Sequence, residues 1–268
     1  MIDLERIVPL EPEGTATPLF CVHSSSGSAY SYLGLAKLLD PDRPVYGIEA
    51  PGFDDDREPI RSVPLLSAEY AATLRAFRPH GDVALLGWSL GGVIAFDMAQ
   101  RLTAAGTGVR LVILVDASVP AVTKVPSERD IARRFLREMT ASMGTPSAML
   151  DQLLAELPED AGSEASFLAA ERSGALPAGL DRKLLAERYP VFRAHLQASY
   201  TFEVTEPYHG PVVHLIASES LISSQMHWTG LATDLTEHTV PGSHHSIWSG
   251  DGLPRLAELA RAALADVG

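Results

Sequence analysis

At 268 residues, 46% of them hydrophobic, the chain has enough apolar material for one full core, and it suits a single large α/β domain with an insertion better than two independent domains. The net charge of −13 disfavours a nucleic-acid surface, which needs clustered lysine and arginine, and no run reaches the roughly 18 apolar residues of a membrane span. The single cysteine excludes an internal disulfide framework, and the first residues lack a basic region followed by an apolar stretch, so a cytoplasmic protein is expected.

From the N-terminus to about residue 118, short apolar runs alternate with amphipathic segments. Residues 19–23 read as a strand, 33–39 as a helix, 45–48 as a strand and 66–77 as a helix. A buried strand over 82–86 leads into Gly87-Trp88-Ser89-Leu90-Gly91-Gly92, and a helix over 90–102 precedes a strand over 111–115. Alternation of this kind predicts a mostly parallel sheet covered by helices on both faces. Between about 120 and 208 the rhythm stops and helical segments take over. Ser127 to Asp130 resembles a capping box opening a helix whose apolar face carries Ile131, Phe135, Leu136 and Met139. Further helices are predicted over 147–157, 164–172 and 181–199, the last kinked or split by Pro190. Strands over 212–216 and 235–240 and a closing helix over 253–264 restore the α/β pattern. The expected organisation is therefore one domain over 1–268 with a helical insertion over 120–208.

The glycine-flanked Ser89 sits where a strand passes sharply into a helix, the geometry of a nucleophile elbow. A serine hydroxyl is a weak nucleophile, so acyl transfer requires a base within hydrogen-bond reach and a group that orients the base. His244 follows the last predicted strand and could reach the sheet edge where the elbow points; its neighbour His245 is the alternative. Asp116 ends the strand after the elbow helix and is the expected orienting acid, with Glu219, after the following strand, as runner-up. Asp82 and Asp97 read as surface charges. The backbone amide of Leu90 is one expected oxyanion donor, and the second is expected from the polar loop 23–30, at Ser26 with Ser25 close behind. His23, beside a core strand, reads as a structural hydrogen-bonding residue. The remaining histidines lack metal-ligand spacing, and no metal site or phosphate-cradling glycine loop is expected.

The segments 19–30, 44–52 and 87–99, together with Val115-Asp116 and Gly242-Ser243-His244, resemble the chain-terminating thioesterase domains of non-ribosomal peptide synthetases and polyketide synthases. The resemblance spans nearly the whole chain. It implies an α/β-hydrolase fold in which the insertion is a lid, and it supports Asp116 over Glu219 as the acid. It also implies an upstream acyl or peptidyl carrier protein whose 4'-phosphopantetheine arm delivers the chain to serine, no cofactor held by the domain itself, and release by water or by an internal nucleophile in macrocyclisation. Ser24 stands where the family usually has proline, which implies a differently shaped oxyanion loop. His245 occupies a place where an aromatic residue is common. Discrete proofreading (type II) thioesterases usually carry histidine before the elbow serine, so Trp88 points toward terminal release. A small-molecule serine esterase or lipase is the reading from outside carrier-bound chemistry.

Overall fold

The computed structural model describes residues 2–119, 121–142, 148–174, 176–220 and 228–267. Seven strands form one sheet: β1 (Ile7–Glu11), β2 (Leu19–Val22), β3 (Val45–Ile48), β4 (Val83–Trp88), β5 (Val109–Val115), β6 (Tyr208–Ala217) and β7 (Ala232–Val240). Their spatial order is β1-β3-β2-β4-β5-β6-β7; β1 runs antiparallel to β3, and every other neighbouring pair is parallel. The central strands β2, β4 and β5 are buried on both faces, which is why they read as continuous apolar runs.

Successive residues on these strands feed opposite layers. Phe20, Val22, Leu85, Val112 and Leu114 pack under α2 (Val63–Phe77) and α3 (Leu90–Ala104), while Leu19, Cys21, Leu86, Ile113 and Val115 pack under α1 (Leu33–Ala36) and α8 (Gly252–Ala265). Cys21 is fully enclosed and its thiol pKa is pushed up by burial, as suits a small core hydrophobe. The helix expected over 33–39 is only the short α1, preceded by a 3-10 turn at Tyr30–Tyr32.

Between β5 and β6 the chain forms α4 (Glu128–Ser142), α5 (Ala148–Ala155), α6 (Ser163–Ser173) and α7 (Arg182–Tyr200). These helices enclose their own apolar cluster, with Phe135, Phe167, Tyr189 and Phe192 at its centre. The N-cap half of the capping box forms: Ser127 Oγ accepts from the Asp130 amide at 3.2 Å, and the same hydroxyl donates to the Asp130 carboxylate at 2.7 Å. Pro120 and residue 147, at the expected starts of the insertion and of its second helix, lie outside the described residues. α7 runs through Pro190 without a break; the proline is exposed, so the carbonyl that loses an amide partner faces water. Asp97 is not a surface charge. It is buried on α3 beside Ser67 Oγ, and its carboxylate accepts from Arg101 Nε at 2.8 Å. None of the described helices is long and apolar enough to cross a membrane.

Candidate active site

Because six strands run in one direction, the loops after β2, β4, β5 and β7 all open at the carboxyl edge of the sheet, where parallel α/β sheets bind ligands. The register brings Val22 beside Gly87 and Trp88 beside Val115. The residues that follow these strand ends, His23, Ser89 and Asp116, therefore emerge side by side.

Ser89 has φ 56° and ψ −124° and caps α3, and its amide donates to Val115 O at 3.0 Å. Among the described residues, only Ser89 and Asp116 combine a side chain with a positive φ. Such backbone strain costs of order 1–3 kcal/mol and persists where the surroundings enforce it. The glycines explain how the turn is tolerated. A Cβ on Gly87 would lie 2.1 Å from the Gly91 backbone, and one on Gly91 would lie 2.4 Å from Val22 O. The elbow thus needs bare backbone at both flanks, as the sequence pattern implied. Ser89 stands at the N-terminus of α3, whose first amides have no intrahelical acceptor and favour developing negative charge.

Asp116 continues β5, its amide donating to Leu215 O at 2.8 Å. Its fully buried carboxylate accepts from the Ala217 amide on Oδ1 at 3.0 Å and faces His244 Nδ1 with Oδ2 at 2.5 Å. Ser220 Oγ donates to the same Oδ2 at 3.4 Å. The His244 side chain is 29% exposed, so the ring reaches from a buried carboxylate to an open face. Glu219 is exposed at the end of its strand, and the carboxylate at the histidine is that of Asp116.

Trp88 builds the wall behind this histidine. Its ring lies 5.0 Å from His244, 5.6 Å from His245 and 5.5 Å from Trp248. His245 does stand at the site edge, its ring 5.1 Å from His244, but its pKa is pushed down to about 4 by burial and by the His244 ring. It is therefore neutral near pH 7, with its ring nearly perpendicular to that of Trp88.

A cavity of about 410 Å³ opens at Ser89, lined by Leu90 and Val93 of α3, Ser25, Ser118, and Leu196 and Tyr200 of α7, among others. Ser25 lines this cavity, whereas the Ser26 amide turns toward Ser24 Oγ at 3.4 Å. Ser24, the residue in place of the usual proline, also donates to Glu138 Oε1 of α4 at 3.4 Å. Desolvation raises the Glu138 carboxyl above its ordinary pKa, with His244 and then Ser24 acting in the opposite direction. Glu138 carried no sequence signal beyond its polarity on an otherwise amphipathic helix.

A family profile for the thioesterase domain matches residues 17–264. The chain belongs to the thioesterase domain family. Malpibaldin synthetase of Mortierella alpina is 41% identical over 112 residues, 42% of this chain and 2% of that protein. The dimodular nonribosomal peptide synthase of Bacillus subtilis strain 168 is 30% identical over 182 residues, 68% of this chain and 7% of that protein. The thioesterase thus spans a few per cent of the length of these much larger synthetases. The solved NocB thioesterase domain from the nocardicin cluster superposes with a TM-score of 0.68 at 23% identity, covering 97% of this chain and 99% of that one. The fold of this thioesterase is accordingly that of the α/β-hydrolases.

Proposed function

We propose that this thioesterase terminates a natural-product assembly line: it takes an acyl or peptidyl chain from the phosphopantetheine thioester of an upstream carrier protein onto Ser89, then releases it by hydrolysis or macrocyclisation. The observation that carries the reading is the 2.5 Å contact between His244 and the buried Asp116 carboxylate, at the sheet edge where the Ser89 elbow opens on a cavity. Malpibaldin synthetase and the dimodular synthase supply the context of carrier-bound chemistry. The helices α4 to α7 would act as the lid, and the enzyme would work in the cytoplasm.

The chemistry follows from the roles. With its Nδ1–H donated to Asp116, the neutral His244 presents Nε2 as a base and removes the Ser89 proton as Oγ attacks the thioester carbon. The resulting oxyanion accepts from the Leu90 amide and an amide of the serine turn, Ser25 or Ser26. Collapse breaks the carbon–sulfur bond, and His244 returns the proton to the departing thiol. Water, or a hydroxyl or amine of the bound chain, then gives its proton to His244 while attacking the acyl-serine, and Ser89 Oγ leaves with that proton. Trp88, packed on His244, supports terminal release over proofreading, since proofreading relatives resembling this chain usually have histidine there.

The test compares one acyl group presented three ways: on a holo carrier protein, on free pantetheine, and as a simple alkyl ester. Turnover that rises from ester to pantetheine to carrier is expected. Equal turnover of the ester and the carrier thioester would mark the protein as a small-molecule esterase instead.

A further inference from the structure

The turn that carries the second oxyanion donor is anchored from outside the sheet by a histidine of α7. Ser24 O accepts from the Gly27 amide at 3.1 Å, closing a β-turn over 24–27, and also accepts from His23 Nδ1 at 2.6 Å. Ser25 O accepts from His195 Nδ1 at 3.1 Å. Each carbonyl requires the facing ring nitrogen to carry the proton, which fixes both tautomers. His23 Nε2 is then an acceptor, and Tyr70 Oη donates to it at 2.6 Å. The two imidazoles stack with centroids 4.8 Å apart and planes 14° apart, and both are fully buried. Burial lowers the pKa of each, that of His195 to about 4, so both rings are neutral at working pH.

These two bonds act on successive peptide planes. In a trans peptide the C=O of one residue and the N–H of the next point in opposite directions, and no described bond is cis. Holding Ser24 O therefore aims the Ser25 amide, and holding Ser25 O aims the Ser26 amide. Both candidates for the second oxyanion donor, the Ser25 and Ser26 amides, are thus set by imidazole contacts on the far side of the turn. α7 can approach this closely because Gly27, at φ +89°, has no side chain; a Cβ there would lie 2.7 Å from Val191 Cγ1, one helical turn before His195. Among the described residues His195 Nε2 has no hydrogen-bond partner, so the ring's one hydrogen bond there is the one that holds the turn.

We propose that His195 is a positioning residue for the oxyanion hole: from the helical insertion it donates to Ser25 O and stacks on His23, locking the turn whose amides receive the oxyanion. The inference rests on the acyl-Ser89 reading above. Its effect belongs to the tetrahedral state, not to ground-state binding.

The test sets His195→Phe, which keeps a stacking ring without a donor, against His195→Asn, which keeps a donor. Three quantities are read: kcat and KM for an acyl-pantetheine thioester, affinity for an alkyl boronic acid that forms a tetrahedral adduct on Ser89, and affinity for an S-alkyl-pantetheine thioether, in which a CH₂ replaces the thioester carbonyl. Removing an oxyanion donor outright costs about 10²–10³ in kcat, so its misplacement in His195→Phe is expected to cost about ten- to a hundredfold. The boronate affinity should fall by the same factor, with KM and thioether affinity within about twofold and most of the loss recovered in His195→Asn. Unchanged boronate affinity in His195→Phe, or a fall shared equally by the thioether, overturns the positioning role while leaving the acyl-serine reading intact. A wild-type enzyme that binds no boronate takes both down together. Should His195→Phe fail to fold, His195→Gln against His195→Met, similar in length with and without a donor, carries the same comparison.

Discussion

Replacing Asp116 with asparagine should disable the enzyme through a tautomer, and the structure dictates which way the new amide must face. Asp116 Oδ1 accepts from the Ala217 amide at 3.0 Å, a contact only a carbonyl oxygen can keep. The asparagine oxygen is therefore held at Ala217, and its NH₂ group is turned toward His244, where Oδ2 now stands 2.5 Å from Nδ1. An N–H donor at that place forces His244 to carry its proton on Nε2, which leaves no lone pair for the Ser89 proton. The opposite flip would bring two donors together at Ala217 in a fully buried site, a cost of about 1–3 kcal/mol, so the wrong orientation dominates. In serine hydrolases an amide at this position lowers kcat by about 10⁴. We expect a loss of about 10³–10⁴ in kcat, or about 4–5.5 kcal/mol at 1.36 kcal/mol per decade, with KM within about threefold. Quenched-flow mass spectrometry of acyl-Ser89 formation from an acyl-pantetheine thioester measures it, with Glu219→Gln as the control, expected within about twofold of wild type. Near-normal acylation by Asp116→Asn, with a loss of orders of magnitude in Glu219→Gln, would refute the assignment of the acid.

Three further expectations concern the scaffold. Gly91→Ala puts a Cβ 2.4 Å from Val22 O and 2.5 Å from His23 O, so denaturant unfolding should show a loss of about 1–3 kcal/mol along with lost activity; an unchanged midpoint would contradict the close approach of α3 to β2. Tyr70→Phe strips the donor from buried His23 Nε2 and should cost about 1–3 kcal/mol on the same assay, whereas a neutral outcome would mean that this bond contributes nothing. His23 and His195 have folded pKa values depressed below the ordinary 6.5, so between about pH 6.5 and 4 the unfolded chain binds more protons. Stability should accordingly be fully present above pH 6.5 and fall as the pH drops toward 4, with a shallower fall in His195→Phe; parallel pH profiles for the two proteins would count against a buried neutral His195.

The placement of the candidate site residues was legible because each sits at a strand end that local pattern marks. Ser89 lies between glycines at a strand-to-helix switch, Asp116 ends the apolar run of β5, and His244 follows β7, so parallel alternation alone brings them to one edge. What escaped depends on tertiary partners. β1 is five residues long with Pro9 in the middle, a pattern that suits an edge strand and gives a weak strand signal; it pairs on one side only, with β3. Pro190 suggested a broken helix because propensity does not encode which face of α7 meets water. Asp97 read as a surface charge because Ser67, which donates to it, lies thirty residues earlier on α2. His195 looked like any other histidine on a helix. Its contact with Ser25 spans 170 positions, and it forms where the Val191 side chain of α7 packs against Gly27.

The acyl-Ser89 intermediate is covalent and can be observed directly. Intact-protein mass spectrometry after incubation with an acyl-pantetheine thioester, followed by peptide mapping, should show a single acyl adduct on the peptide containing Ser89, lost on longer incubation as product is released and absent from Ser89→Ala. No adduct on the wild type under single-turnover conditions, or the same adduct persisting in Ser89→Ala, would rule out Ser89 as the acylated nucleophile.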